Sequence, residues 1–84
     1  MFEVGKIYSR KQYEKGIKNT VFGIQKDVLK DKYAPDIEYA DFFLGESKDG
    51  KYVYCVKTTS KGSIFGKRNI KILGIISREE YNRI

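Results

Sequence analysis

The sequence predicts an α+β domain of about five short strands, forming a curved antiparallel sheet or a small SH3-like barrel, with one short helix after the first strand and one at the C-terminus. Three observations carry this expectation. Short apolar runs alternate at a period of two, most clearly in Tyr52–Thr58 and Arg68–Ile76. The dipeptide Asp49-Gly50 stands between two such runs and favours a tight type I′ hairpin turn. Ser9-Arg10-Lys11-Gln12 and Ser77-Arg78-Glu79-Glu80 both have the capping-box form that opens a helix.

Phe2–Tyr8 is expected to be the first strand, with Phe2, Val4 and Tyr8 on one face and Gly5 marking a bulge or a close backbone approach. Ser9 then caps a helix over Arg10–Lys15 that Gly16 stops, with Tyr8 and Tyr13 at the positions of a hydrophobic staple. Thr20–Gln25 reads as a strand with Phe22 and Ile24 on one face. Lys26–Tyr33 admits two readings. Asp27 caps a helical turn that packs Leu29 and Tyr33 before Pro35 ends it, or the segment is an irregular loop.

Ile37–Gly45 reads as a strand, and its consecutive Phe42, Phe43 and Leu44 suggest central burial or a bulge. In the next strand Tyr52, Tyr54 and Val56 share one face, and Val53, Cys55 and Lys57 the other. In the last strand Ile70 and Ile72 lie opposite in face to Lys71 and Leu73. Ile76 and Tyr81 form a second staple around the Ser77 cap. The likeness of SRKQYEKGI to SREEYNRI therefore reflects shared junction chemistry rather than an internal repeat.

Eighty-four residues make a single domain, 1–84, whose modest core leaves little room for a large catalytic cleft. Seventeen Lys and Arg against eleven Asp and Glu give a net charge of +6, which attracts nucleic acid or an acidic protein surface. The chain has no histidine and a single cysteine, so imidazole and thiolate metal sites and histidine-dependent nucleophiles are excluded within it. No cofactor is expected. Cys55 reads as a small apolar strand residue and suits a reducing cytoplasm. No apolar run approaches the ~18 residues of a membrane helix and no basic-then-apolar leader opens the chain, so a soluble cytoplasmic protein without a membrane partner is expected.

The candidate site is the connection Thr58–Arg68 and its flanks. Lys57, Lys61, Lys67, Arg68 and Lys71 supply cations for phosphate neutralisation, and Ser60 and Ser63 supply hydroxyl hydrogen bonds. Phe65 offers a ring for base stacking, worth roughly 1–3 kcal/mol per base. The structural alternative is that Ile64 and Phe65 fold back onto the core. The stretch lacks the GxxxxGK[ST] spacing of a phosphate-binding loop. Tyr39, Tyr52 and Tyr54 are candidates for a stacking platform. Pro35-Asp36 with Glu46-Ser47-Lys48 matches the wording of the PD-(D/E)xK nuclease motif, in which carboxylates hold Mg²⁺, although Glu46 and Lys48 run into a turn.

VGKIYS at Val4–Ser9 and FGIQKD at Phe22–Asp27 resemble the opening of the MazF/PemK-like toxins, small barrels that cleave RNA. Lys18-Asn19-Thr20 stands where their catalytic Arg-Pro pair is expected, and Thr59-Ser60-Lys61 is similar to their Thr-Ser-Lys turn one strand later. GKIYSRK is also similar to segments of DNA-binding accessory domains in restriction systems. Both resemblances imply a small nucleic-acid-facing domain, and the Lys-, Ile- and Tyr-rich composition suits a phage or mobile element.

The expectation is therefore a non-enzymatic basic domain that contacts nucleic acid through its Lys/Arg/Ser loop. The alternative is a phage- or plasmid-encoded module that inhibits a host defence or nucleic-acid-binding protein, and a MazF-like or metal-dependent nuclease ranks third. The edge of Phe2–Tyr8 offers pairing with a second copy as a homodimer.

Overall fold

The computed structural model describes residues 2–21, 24–59 and 69–84, with Ile24 described for its backbone alone. It contains a five-stranded, fully antiparallel sheet in the order β1-β5-β4-β3-β2. The strands are β1 Ile7–Tyr8, β2 Ile17–Val21, β3 Phe42–Ser47, β4 Tyr52–Thr59 and β5 Asn69–Ser77. Helices α1 Arg10–Gly16, α2 Ile24–Tyr33 and α3 Arg78–Asn82 accompany them. The sheet is open, and β1 and β2 are its edges.

The chemistry of β4 explains the layering. Val53, Tyr54, Cys55 and Val56 are consecutive and all buried, so both faces of this central strand must be covered. Val53 and Cys55 face Leu29, Phe42, Leu44, Ile76 and Tyr81, a core closed by α2 and α3. Tyr54 and Val56 face Ile70 and Ile72, against which Phe2, Tyr8 and Tyr13 pack from the N-terminal segment and α1. The alternation expected for β4 is thus the alternation observed.

Several elements depart from the sequence expectation. The first strand is cut to Ile7 and Tyr8, preceded by two backbone hydrogen bonds to Ile72, from the Gly5 amide and to the Lys6 carbonyl, because the chain turns at Val4 and Gly5, where Gly5 takes a φ of +87°. Phe2 folds back over the sheet and meets the rings of Tyr8, Tyr13 and Tyr54 at 4.8–5.6 Å, while Val4 is exposed. The edge offered to a second copy is correspondingly short. β2 begins at Ile17 and ends at Val21, and α2 occupies Ile24–Tyr33 where a strand was expected to reach Gln25. Of the two readings of Lys26–Tyr33, the helical one holds in that Leu29 and Tyr33, four apart, pack on the same core, but the helix begins at Ile24, so Asp27 lies inside its first turn and does not cap it. Phe22 lies outside the described residues.

The segment before β3 is a short 3₁₀ turn, Tyr39–Asp41, rather than strand. The β3–β4 hairpin forms at Asp49-Gly50, yet its turn is not type I′, which needs positive φ at both central residues. Only Gly50 is positive, at +73°, and its amide donates to the Ser47 carbonyl at 3.0 Å. Side chains complete the turn: Ser47 Oγ donates to Asp49 Oδ1 at 2.6 Å and accepts from the Tyr52 amide, and Asp49 Oδ1 also accepts from the Lys51 amide.

Both predicted N-caps are present, the first as a full capping box and the second through the Ser77 side chain. Ser9 and Gln12 make the full reciprocal capping box, and Ser77 Oγ accepts from the Glu80 amide at 3.1 Å. Tyr8 and Tyr13 belong to one apolar cluster, on one face, and Ile76 and Tyr81 to the other, the pairs that the staple pattern names.

Aromatic lids are seated on glycines. The Tyr33 ring lies 2.6 Å from where a Cβ on Gly74 would stand, and Tyr13 Oη occupies the space of a Cβ on Gly45. These close approaches let α1 and α2 lie flat on opposite faces of the sheet. Gly45→Ala is expected to destabilise the fold by about 1–3 kcal/mol, as overpacking of a filled core does. Tyr13→Phe, which removes the obstructing oxygen, should recover part of that loss in the double variant, as read by urea unfolding.

Burial also holds the Cys55 thiol protonated, raising its pKa from an ordinary 9.0 to about 12. The unfolded chain releases this proton at lower pH than the fold does. The resulting contribution is complete below pH 9 and is lost as pH rises from 9 through 12. Burial raises Tyr13 as well, which adds to the same alkaline loss. Urea midpoints should therefore fall through this range, less steeply in Cys55→Ala.

Candidate functional site

β4 and β5 end together, and the candidate connection leaves from that end. Their last rungs pair Lys57 with Lys71, Thr58 with Ile70 and Thr59 with Asn69. Lys57 and Lys71 are therefore direct cross-strand neighbours on the α2 face of the sheet, with Cβ atoms about 4.5–5.5 Å apart by sheet geometry. Both are partly exposed. A bulge between Cys55 and Val56 sets this register, since it leaves Leu73 without an opposite residue and so brings Lys71 level with Lys57. The alternation of each strand was legible in the sequence, but their meeting depends on the bulge.

Many of the other cations are already engaged. Lys6 pairs with Glu3, Arg10 with Glu14 at 3.0 Å, Arg83 with Glu79 at 2.6 Å, and Arg78 with Glu46 at 3.1 Å. Arg78 Nη1 approaches Glu46 without hydrogen-bond alignment and its guanidinium also lies 4.9 Å from the Tyr81 ring, so the contact is chiefly electrostatic. Lys57 and Lys71 make no ion pair among the described residues. Thr58 Oγ1, beside them, donates to Asp41 Oδ1 at 3.3 Å, tying the 3₁₀ turn to the end of β4.

Six of the eight predicted site residues, Ser60, Lys61, Ser63, Phe65, Lys67 and Arg68, lie outside the described residues. The expected tyrosine platform does not form. Tyr52 and Tyr54 lie on the face covered by Phe2, whereas Tyr39 stands on the 3₁₀ turn beside α2. The two halves of the nuclease-like pattern are separately placed: Asp36 is in the exposed turn after α2, and Glu46 is occupied by Arg78.

One cation was missed altogether. Lys26 is 7 % exposed, and its Nζ lies 4.0 Å from the Tyr39 ring centroid and 5.2 Å from that of Phe43. Burial, together with the nearby Asp27 carboxylate, holds the Tyr39 phenol protonated above its ordinary range. Burial is the larger cause. This cluster pins α2 to the 3₁₀ turn through cation–π contact. Its only sequence signal was a Lys-Asp pair that local rules place on the helix surface.

Two hollows lie on the opposite face among the described residues. One, of about 430 Å³, lies between α1 and the sheet over Tyr13, Ile17, Phe43, Val56 and Ile70, with β2 along one side. The second, of about 480 Å³, lies beyond α1 near Phe2, Tyr52 and the β3–β4 turn.

The Lys57–Lys71 juxtaposition carries a stability cost, because like charges directly opposite on a sheet repel. Lys71→Glu is expected to raise stability by about 0.2–1 kcal/mol as it converts the pair into an attractive one. Chemical denaturation at low ionic strength reads the gain, which should shrink as salt is added.

Comparison with known proteins found no matching protein family, no matching curated protein and no matching solved structure.

Proposed function

We propose that the protein binds nucleic acid through the β4–β5 end of the sheet. The observation that supports this reading is the unneutralised Lys57–Lys71 pair, two cations side by side on neighbouring strands. Phosphate oxygens along a backbone suit such a pair, and binding there relieves the repulsion between the two ammonium groups. The connection between the two strands adds Lys61, Lys67 and Arg68, with Ser60, Ser63 and Phe65 for hydroxyl and stacking contacts. The net charge of +6 favours encounter with any polyanion.

No catalytic role is required of any residue in this reading. Lys57 and Lys71 position the backbone, and the sequence of the bound strand is read weakly or not at all, as expected where cations and one ring supply the contacts.

Fluorescence anisotropy with labelled single- and double-stranded oligonucleotides tests the proposal. Affinity should fall steeply with salt, and Lys57→Gln with Lys71→Gln should flatten the log–log salt slope by roughly 1.4–1.8, the contribution of two phosphate contacts. Replacing Lys61, Lys67 and Arg68 together should remove most of the remaining affinity. Absent or salt-independent binding would overturn the reading, as would a stoichiometric protein partner that survives nuclease treatment and competes with the oligonucleotide.

A further inference from the structure

We propose that the hollow beneath α1, together with the free edge of β2, is a docking site for an extended acidic peptide segment of a partner protein. The segment adds to the sheet as a further strand beside β2. This site lies on the opposite face from Lys57 and Lys71 and stands independently of the nucleic-acid reading.

Three features converge there. β2 pairs only with β3, so along its outer side alternate backbone N–H and C=O groups have no strand partner among the described residues. The hollow beside that edge, about 430 Å³, has an apolar floor of Ile17, Phe43, Val56 and Ile70. Alternate side chains of an added strand turn to the same face, so one or two apolar residues of the peptide would enter the hollow. The third feature is charge. Of the charged side chains that line the hollow among the described residues, Arg10 and Glu14 hold each other, which leaves Lys18, exposed on the edge itself, as the cation with no ion pair.

The same features discriminate among occupants. Lys18 falls in the register shift between Ile17 and Asn19, so a bulge carrying a cation stands on the edge itself. Such a device disfavours pairing with a second copy, which brings another +6 of charge, and favours a strand with acidic residues. A nucleic acid has no peptide N–H and C=O ladder to continue β2. A partner segment alternating apolar residues with Asp or Glu satisfies the edge, the hollow and the charge together.

The test is selection of short random displayed peptides on the immobilised full-length chain, followed by binding and amide-exchange measurements with the enriched peptides. The expected peptides alternate apolar and acidic residues. Lys18→Glu, a substitution at an exposed position, should weaken them by about tenfold or more while leaving the thermal midpoint unchanged. Exchange should slow at Asn19–Val21 on binding. Lys57→Gln with Lys71→Gln should leave peptide affinity unchanged. Enrichment without acidic bias, equal affinity for Lys18→Glu, no protection along β2, or displacement of the peptide by an oligonucleotide would each overturn the proposal.

Discussion

The double-sided burial of β4 is the constraint on which the rest of this structure depends. Four consecutive residues, Val53 to Val56, must be kept from water, and their side chains alternate between the two faces. A small sheet with one solvated face could not do this. The chain therefore spends nearly every other segment on covers: α2 and α3 on one side, Phe2 and α1 on the other. Because the domain is small, each cover is thin, and single aromatic rings take on work that whole helices perform in larger proteins.

Gly45 and Gly74 follow from the same constraint. A short helix approaches a sheet closely only where the sheet lacks a side chain, and Tyr13 and Tyr33 lie over these two positions. The residues most damaging to alter are thus not the largest core members alone but the places where a side chain is absent. At the other extreme, α1 covers only part of its face, and the hollow beside it is where that cover runs out. The apolar opening and the edge of β2 are consequences of incomplete coverage at one end of a sheet whose middle is sealed.

Charge is distributed with the same economy. Glu3, Glu14 and Glu79 are each matched to a cation three or four residues away, arrangements worth little to stability when exposed. Cations without an ion pair among the described residues include two groups, Lys57 with Lys71 on β4 and β5, and Lys11, Lys15 and Lys18 along α1 and β2. The first supports a phosphate-binding reading and the second an acidic-peptide reading, each from charges that the fold itself leaves unmatched.

Local chemistry sufficed to place both helix caps, the alternation of β4 and the existence of the hairpin at Asp49-Gly50, because each depends on residues a few positions apart. It failed at the end of Thr20–Gln25, where strand was expected to reach Gln25 although β2 ends at Val21 and α2 holds Ile24 and Gln25. A strand there would have left Leu44 and Cys55 uncovered, so tertiary burial overrides propensity. The turn type at Asp49-Gly50 likewise went to the arrangement in which Ser47 and Asp49 side chains complete the hydrogen bonds.

What the sequence by itself determined is an α+β chain of capped helices and alternating strands with a basic surplus. The tertiary structure alone decided which strands meet. It placed β1 beside β5, left β2 as an edge, sealed Lys26 between two rings and set Lys57 against Lys71 through a one-residue bulge. The physical reason is range. Caps and alternation are settled by hydrogen bonds and pleating within a few residues, whereas register and edge status arise from pairing segments far apart in the chain, where a single unmatched residue changes which side chains become neighbours.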